Sequence, residues 1–266
     1  MIAIEERIVP QTSGVLFKRT SFQHITLRQF VVVDPLTAPW LDHLWLVEWN
    51  LPSGKTYTQA TLPYPTCHII LDRQEKSGLF GCSTGRFDYT LMGTGTVIGA
   101  RLHPGAFRAF HTTSAHYLTN TNIPLAEILS AHELKAIKSA TGVKAVKNFA
   151  GILQKTAAPL HDDIHETQKI VNTIRDSTTL FRVSDLQITL DISPRKLQRL
   201  FRELIGVSPK WVIDRFRMFD AVETISNHSG TNLADLAARL GYADQAHFSH
   251  IFKSITGVSP GKYANG

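Results

Sequence analysis

The sequence predicts an α+β protein of two domains, a β-rich first half followed by an all-helical second half. Three observations carry this. Up to about residue 110, short β-branched or aromatic runs are punctuated by Pro and Gly. After Pro104-Gly105 the apolar residues shift to helical spacing. Near the C-terminus a helix-stop-helix block occurs twice. A chain of 266 residues suits two cores, and 43% hydrophobic with 19% charged residues excludes a disordered tail, a collagen-like repeat and a coiled-coil rod.

Phe30-Val31-Val32-Val33, His68-Ile69-Ile70-Leu71 and Thr96-Val97-Ile98-Gly99 read as strands. Gly93-Thr94-Gly95-Thr96 lacks the lysine and following helix of a phosphate loop, so it reads as a strand-to-strand turn. Pro124 to Leu129 and Ala145 to Gln154 carry helical periodicity. Lys155-Thr156-Ala157-Ala158-Pro159 breaks the pattern, giving expected domains of 1–157 and 162–266.

In the second half, Leu197 to Pro209 and Phe248 to Pro260 are two copies of one block, offset by 51. Leu197, Leu200, Phe201 and Leu204, and equally Phe248, Ile251, Phe252 and Ile255, fall at i, i+3, i+4, i+7 and give each helix one apolar face. Gly206 and Gly257 suit left-handed C-caps, and the following Ser-Pro suits an N-cap and first helical residue. A shorter helical pattern precedes each copy, Val183 to Leu190 and Leu233 to Leu240. Ala237 permits close helix crossing, Gly241 a sharp turn, and Asp244 an N-cap. Each unit therefore reads as a helix-turn-helix. A long helix from Ser208 to about Asn227 is expected to join the two.

The positions not used for the core are the candidate readers of a polyanion. On the first longer helix, about 193–205, these are Arg195, Lys196, Gln198, Arg199 and Arg202; the interval between Asp191 and Glu203 holds four cations and no acid. Arginine offers a bidentate fork to guanine, glutamine does so for adenine, and any cation pairs with phosphate. The equivalent face of the second, about 244–256, is Gln245, Ala246, His247, Ser249, His250 and Lys253, polar but much less charged. The first unit is thus expected to make more direct contact, the second to rely on weaker hydrogen bonds and shape. The net charge of +6 is compatible with this, but from His161 onward 13 basic face 12 acidic residues, so local distribution carries the argument.

At this point the chain resembles the AraC/XylS-type bacterial transcription regulators. The resemblance spans about 167 to 263 and rests on Ser193-Pro194-Arg195-Lys196-Leu197-Gln198-Arg199-Leu200-Phe201, on Arg217 and Ala221, on Leu236-Ala237-Ala238-Arg239-Leu240-Gly241-Tyr242, and on Phe248 to Pro260 with Tyr263. It implies two recognition helices entering successive major-groove faces, with base contacts near Arg195, Gln198 and Arg199, then Gln245, His247, Ser249 and His250. Gln187 and Asp191 depart from the small residue and glycine usual there, and His250 stands where the first unit has Arg199. Trp45 to Trp49, Leu62-Pro63-Tyr64-Pro65, Gly81 to Phe87 and Gly99 to Phe107 resemble the N-terminal domain of a subgroup of these regulators, which implies a cupin-like barrel with trailing helices that senses a small effector or dimerises. Double-stranded DNA is the expected partner, with RNA polymerase, an effector and a second protomer as further candidates.

Other chemistry finds little support. His68 and His103 have no third ligand at useful spacing, so neither a metal nor another cofactor is expected. Trp40, Trp45 and Trp49 fit core packing better than pocket lining. Cys67 and Cys82 have neither metal spacing nor the density of a disulfide scaffold, and nothing near them suggests a redox switch. No nucleophile elbow, zinc signature or dinucleotide fingerprint appears, and no catalytic residue is assigned. A DNA-repair or DNA-modifying enzyme using the same reader would need a reactive cysteine, which Pro65-Thr66-Cys67-His68 does not supply; a non-specific DNA-bending protein would need more positive charge in the helical half. The acidic N-terminus and the lack of a long apolar run lead to the expectation of a cytoplasmic protein without membrane spans.

Overall fold

The computed structural model describes residues 2–7, 14–72, 77–228 and 230–264. The β-rich half contains β1 (Ile4–Glu6), the short helix α1 (Lys18–Ser21), β2 (Ile25–Val32), β3 (Leu41–Asn50), β4 (Thr56–Thr61), β5 (His68–Asp72), β6 (Gly78–Phe80), β7 (Phe87–Met92), β8 (Thr94–Leu102), α2 (Ala115–Leu118), β9 (Asn122–Pro124), α3 (Ala131–Lys138) and α4 (Gly142–Thr156). Seven strands form one antiparallel sheet in the order β1-β2-β3-β8-β5-β6-β9, and β4 pairs with β7.

Alternation along the strands sorts the large sheet into two faces. One carries Phe30, Leu44, Leu46, Ile69, Leu71, Ile98 and Ala100, all buried in the same cluster as Val146, Phe149 and Leu153 of α4. The other carries Trp45, Val47, Trp49, Ile70 and Val97, which pack with Tyr57, Tyr89 and Leu91 of the β4–β7 pair. Two indoles fill this space: a Cβ on Gly99 would stand 2.0 Å from the Trp45 ring, and one on Gly95 2.0 Å from the Trp49 ring. Trp40 and Trp49 are buried and Trp45 half-buried, so the tryptophans pack as expected. The turn from β7 to β8 is made by Gly93 in the left-handed region, φ +52°. Pro124 to Leu129 is not the helix its periodicity suggests. Pro124 is extended (φ −54°, ψ 138°) and ends β9, a 3-10 turn follows at Leu125–Glu127, and Leu125 and Leu129 are buried on the sheet. The amide of Leu125 donates to the Ser77 carbonyl, and the Leu125 carbonyl accepts from the Ile128 and Leu129 amides in a single turn that goes no further.

The second half is helical throughout: α5 (Asp162–Asp176), α6 (Val183–Leu190), α7 (Pro194–Leu200), α8 (Pro209–Asn227), α9 (Leu233–Arg239), α10 (Gln245–Thr256) and α11 (Pro260–Ala264). A π-helical turn, Phe201–Ile205, extends α7 to Gly206. Apolar packing is continuous between the halves. Leu16, Ala60 and Leu62 belong to one cluster with Met218, Ala221, Phe248 and Phe252. Arg101, ion-paired to Asp42 in the sheet, stacks on Tyr64 at 4.3 Å, and Tyr64 meets Phe216 of α8 edge-on at 5.3 Å. No helix among the described residues is long and apolar enough to cross a membrane.

Candidate nucleic-acid interface

Both units are built from the same local instructions. In the first, α6 ends at Asp191, which takes φ +47°, the left-handed turn a glycine would adopt more readily. The departure in sequence thus leaves the turn geometry intact. Ser193 caps α7, its Oγ accepting from the Lys196 amide at 3.3 Å, with Pro194 in the first turn. In the second unit Gly241 turns with φ +70° and Asp244 caps α10, accepting from the His247 amide at 2.7 Å. Leu197, Leu200, Phe201 and Leu204 are buried, as are Phe248 and Phe252, while Ile251 and Ile255 are half-buried.

The opposite faces are open. Arg195, Lys196, Gln198, Arg199 and Arg202 are exposed on the first unit; Gln245, Ala246, His247, His250 and Lys253 are exposed on the second, and Ser249 is half-buried. Helix α8 joins the units and holds them through Arg217. This guanidinium is buried, bonds Asp214 at 3.1 Å, and lies over the rings of Phe181 at 4.6 Å and Tyr242 at 5.0 Å, one from each unit. Gly241 has to be small there, because a Cβ would stand 2.5 Å from Arg217 Nη2. Ala221, wholly buried, lets α8 approach the core of the second unit.

The first polar face is acid-free along the chain but not in space. Arg199 donates to Asp163 of α5 at 2.8 and 3.4 Å, and Lys196 Nζ lies 2.6 Å from Glu166 of the same helix. The Arg199 hydrogen bond holds the Asp163 carboxyl below its ordinary range. Arg202 lies 4.0 Å from Glu203.

The β-rich half grips the far ends of both recognition helices. Thr119 Oγ1 donates to the carbonyl of Gly206 at 2.8 Å, and Ser114 Oγ to that of Arg202 at 3.3 Å. Arg86 Nη1 donates to the carbonyl of Thr256 at 2.8 Å, and Arg215 of α8 donates to the carbonyl of Thr84 at 2.8 Å. Asn120 Oδ1 accepts from the Thr84 amide, again at 2.8 Å, tying the two grips together. Local sequence signals do not announce Thr84, Arg86 or Thr119, because each partner lies far away along the chain.

In the β-rich half a row of polar groups runs across β3, β8 and β5, where His43 and His68 both pair with Arg101 in register. Burial lowers His43 and His103, and pushes His68 down to about 3. His43 Nε2 meets Gln29 Nε2 at 3.2 Å. Among the described residues no three His, Cys, Asp or Glu side chains are grouped to hold a metal. Cys67 and Cys82 are free and buried, and burial raises both thiols, Cys82 to about 12.

Two helix-turn-helix units joined by a packed helix, each with an exposed polar recognition face, define a double helix-turn-helix protein. Residues 188–266 match the family model described as a helix-turn-helix domain, and residues 34–124 match one described as a domain of unknown function. The C-terminal half is thus similar to bacterial helix-turn-helix transcription regulators. The arabinose operon regulatory protein of Escherichia coli is 28% identical over 123 residues, covering 46% of this chain and 41% of that protein. An uncharacterised helix-turn-helix-type transcriptional regulator of Bacillus subtilis, YisR, is 30% identical over 81 residues, 30% of this chain and 28% of that one. The chain spans under half the length of the curated relatives it matches. Among solved structures, ToxT of Vibrio cholerae aligns over 91% of this chain and 98% of its own at 14% identity, with a TM-score of 0.42.

Proposed function

We propose that the chain is a sequence-specific, DNA-binding transcription regulator. Its reader, 162–266, recognises two successive major-groove faces with the helices at about 193–205 and 244–256. The carrying observation is that both polar helix faces stay exposed while the β-rich half is docked on the opposite helix ends. Arg195, Gln198 and Arg199, with Gln245, His247, Ser249 and His250, serve base contact; Lys196, Arg202 and Lys253 serve phosphate. The 1–157 domain modulates the reader by binding a small effector or a second protomer. The protein acts without enzymatic chemistry, in the cytoplasm, by contact with double-stranded DNA, with RNA polymerase a candidate further partner. The matches to named regulators support this reading.

The test is selection of bound sequences from random duplexes by the full-length protein at physiological salt. The expected result is enrichment of one extended site about two major-groove faces long. Folded protein that enriches nothing would overturn the reading.

A further inference from the structure

The two carboxylates on α5 face the strongest DNA-reading cations, and nothing above accounts for them. Asp163 occupies both Nη groups of Arg199, at 2.8 and 3.4 Å, leaving that bidentate fork already filled. Guanine O6 and N7 or two phosphate oxygens would use the same kind of fork. Glu166, one turn along, sits 2.6 Å from Lys196 Nζ. Helix α5 is not free to swing away: Ile164, Thr167, Ile170, Val171 and Ile174 are buried, and Gln168 donates to the Pro39 carbonyl at 3.0 Å. The second unit has no equivalent. Its reading face shows no ion pair among the described residues.

Exposed pairs of this kind add little to folding stability, since water and salt screen them. Their effect falls on binding. A duplex that engages Arg199 and Lys196 must displace two carboxylates, and those carboxylates then stand beside phosphate oxygens of like charge. A matching base offers Arg199 two hydrogen bonds in return. A random sequence offers only the general phosphate attraction, which the carboxylates offset at Arg199 and Lys196.

We infer that Asp163 and Glu166 are specificity-determining residues: built-in anionic competitors that hold Arg199 and Lys196 away from unselected DNA and yield them to a matching site. This rests on the DNA-binding reading above.

The test is the full-length Asp163→Asn/Glu166→Gln variant, with its fold checked by circular dichroism. It is titrated against a random-sequence duplex and against the site that the wild type enriches, over a range of salt. The variant is expected to bind random duplex about tenfold tighter, from two exposed pairs of modest strength each. Its log K against log salt slope should steepen by about 0.9 for each cation released to a phosphate. Affinity for the enriched site should rise less, so the ratio of specific to random binding falls. Unchanged affinities and slope would overturn the inference while leaving the regulator reading intact. Weaker binding to both duplexes at unchanged slope would also overturn it, since the carboxylates would then be supporting structure. If neither wild type nor variant binds any duplex, the regulator reading itself fails and this inference falls with it.

Discussion

The hydroxyl of Thr119 donates to the carbonyl of Gly206 at 2.8 Å, so the β-rich half is bonded to the residue that ends the first recognition helix. Arg86 makes the corresponding bond to Thr256, the last residue of α10. Both attachments lie at the helix ends, away from the exposed polar residues of the first turns.

Gly206 is constrained twice. Its φ of +89° disfavours any side chain, and a Cβ would lie 2.5 Å from Thr119 Oγ1 and 2.6 Å from the Ala115 carbonyl. Gly206→Ala should therefore cost about 2–4 kcal/mol in urea unfolding, from backbone strain and forced separation of the halves. Gly151→Ala is the control. It lies within α4 with nothing within 4 Å of an added Cβ, and should stabilise by about 0.5–1 kcal/mol. Equal effects at the two sites would contradict this account.

Arg86→Ala removes a charged donor from the last turn of α10. Such hydrogen bonds contribute about 1.5–3 kcal/mol. Amide hydrogen exchange around Thr256 to Tyr263 should quicken, while α7 retains its protection. Exchange that is unchanged at those amides would show the bond to be idle.

Arg199→Ala should cost about 1–3 kcal/mol at the base it reads and relax selectivity there. Arg202→Ala, as a phosphate contact, should weaken all sequences alike and flatten the salt slope by about 0.9. Equilibrium titrations against the enriched site and its single-base variants separate the two. A base-selective loss on removing Arg202 would overturn its assignment.

His43 is 2% exposed and burial holds its pKa below the ordinary value. An unfolded chain takes up this proton near pH 6.5, whereas the folded chain does so only at lower pH. The stability contributed by neutral His43 is thus present above about pH 6.5 and lost as pH falls toward the folded value. The free energy of urea unfolding should stay level from pH 7.5 to about 6.5 and drop below that, by up to about 1.4 kcal/mol per pH unit for each such histidine. His43→Gln should remove part of that dependence; a parent-like pH profile would refute the assignment.

The helical half was legible because its instructions are local. The 51-residue offset, the glycine stops, the Ser-Pro caps and the i, i+3, i+4, i+7 apolar faces each act within a turn or two, and α7, α8 and α10 form where they place them. The exposed polar faces followed, since they are what remains once the core face is removed. Asp191 was the local exception, a non-glycine in a glycine-like turn. The ion pairs of Arg199 and Lys196 were illegible from the neighbouring sequence, because Asp163 lies 36 residues away on a helix whose own pattern does not say what it faces. Arg86 and Thr256 are 170 residues apart, and no periodicity can announce such a meeting. Pro124 to Leu129 shows the converse: its apolar spacing suits a helix, but the sheet edge and Ser77 take its backbone groups first.

Asn120 gives the two attachments a common pin. Its amide oxygen accepts from the Thr84 amide at 2.8 Å and its Nδ2 donates to Thr84 Oγ1 at 3.0 Å, joining the strand-free loop beside Arg86 to the residue beside Thr119. The duplicated helix ends are thus geared to each other along two routes, through the α8 shaft and through this pin. Cutting the pin would leave α8 and the apolar seam of Leu16, Ala60 and Leu62 to hold the two helix ends in step.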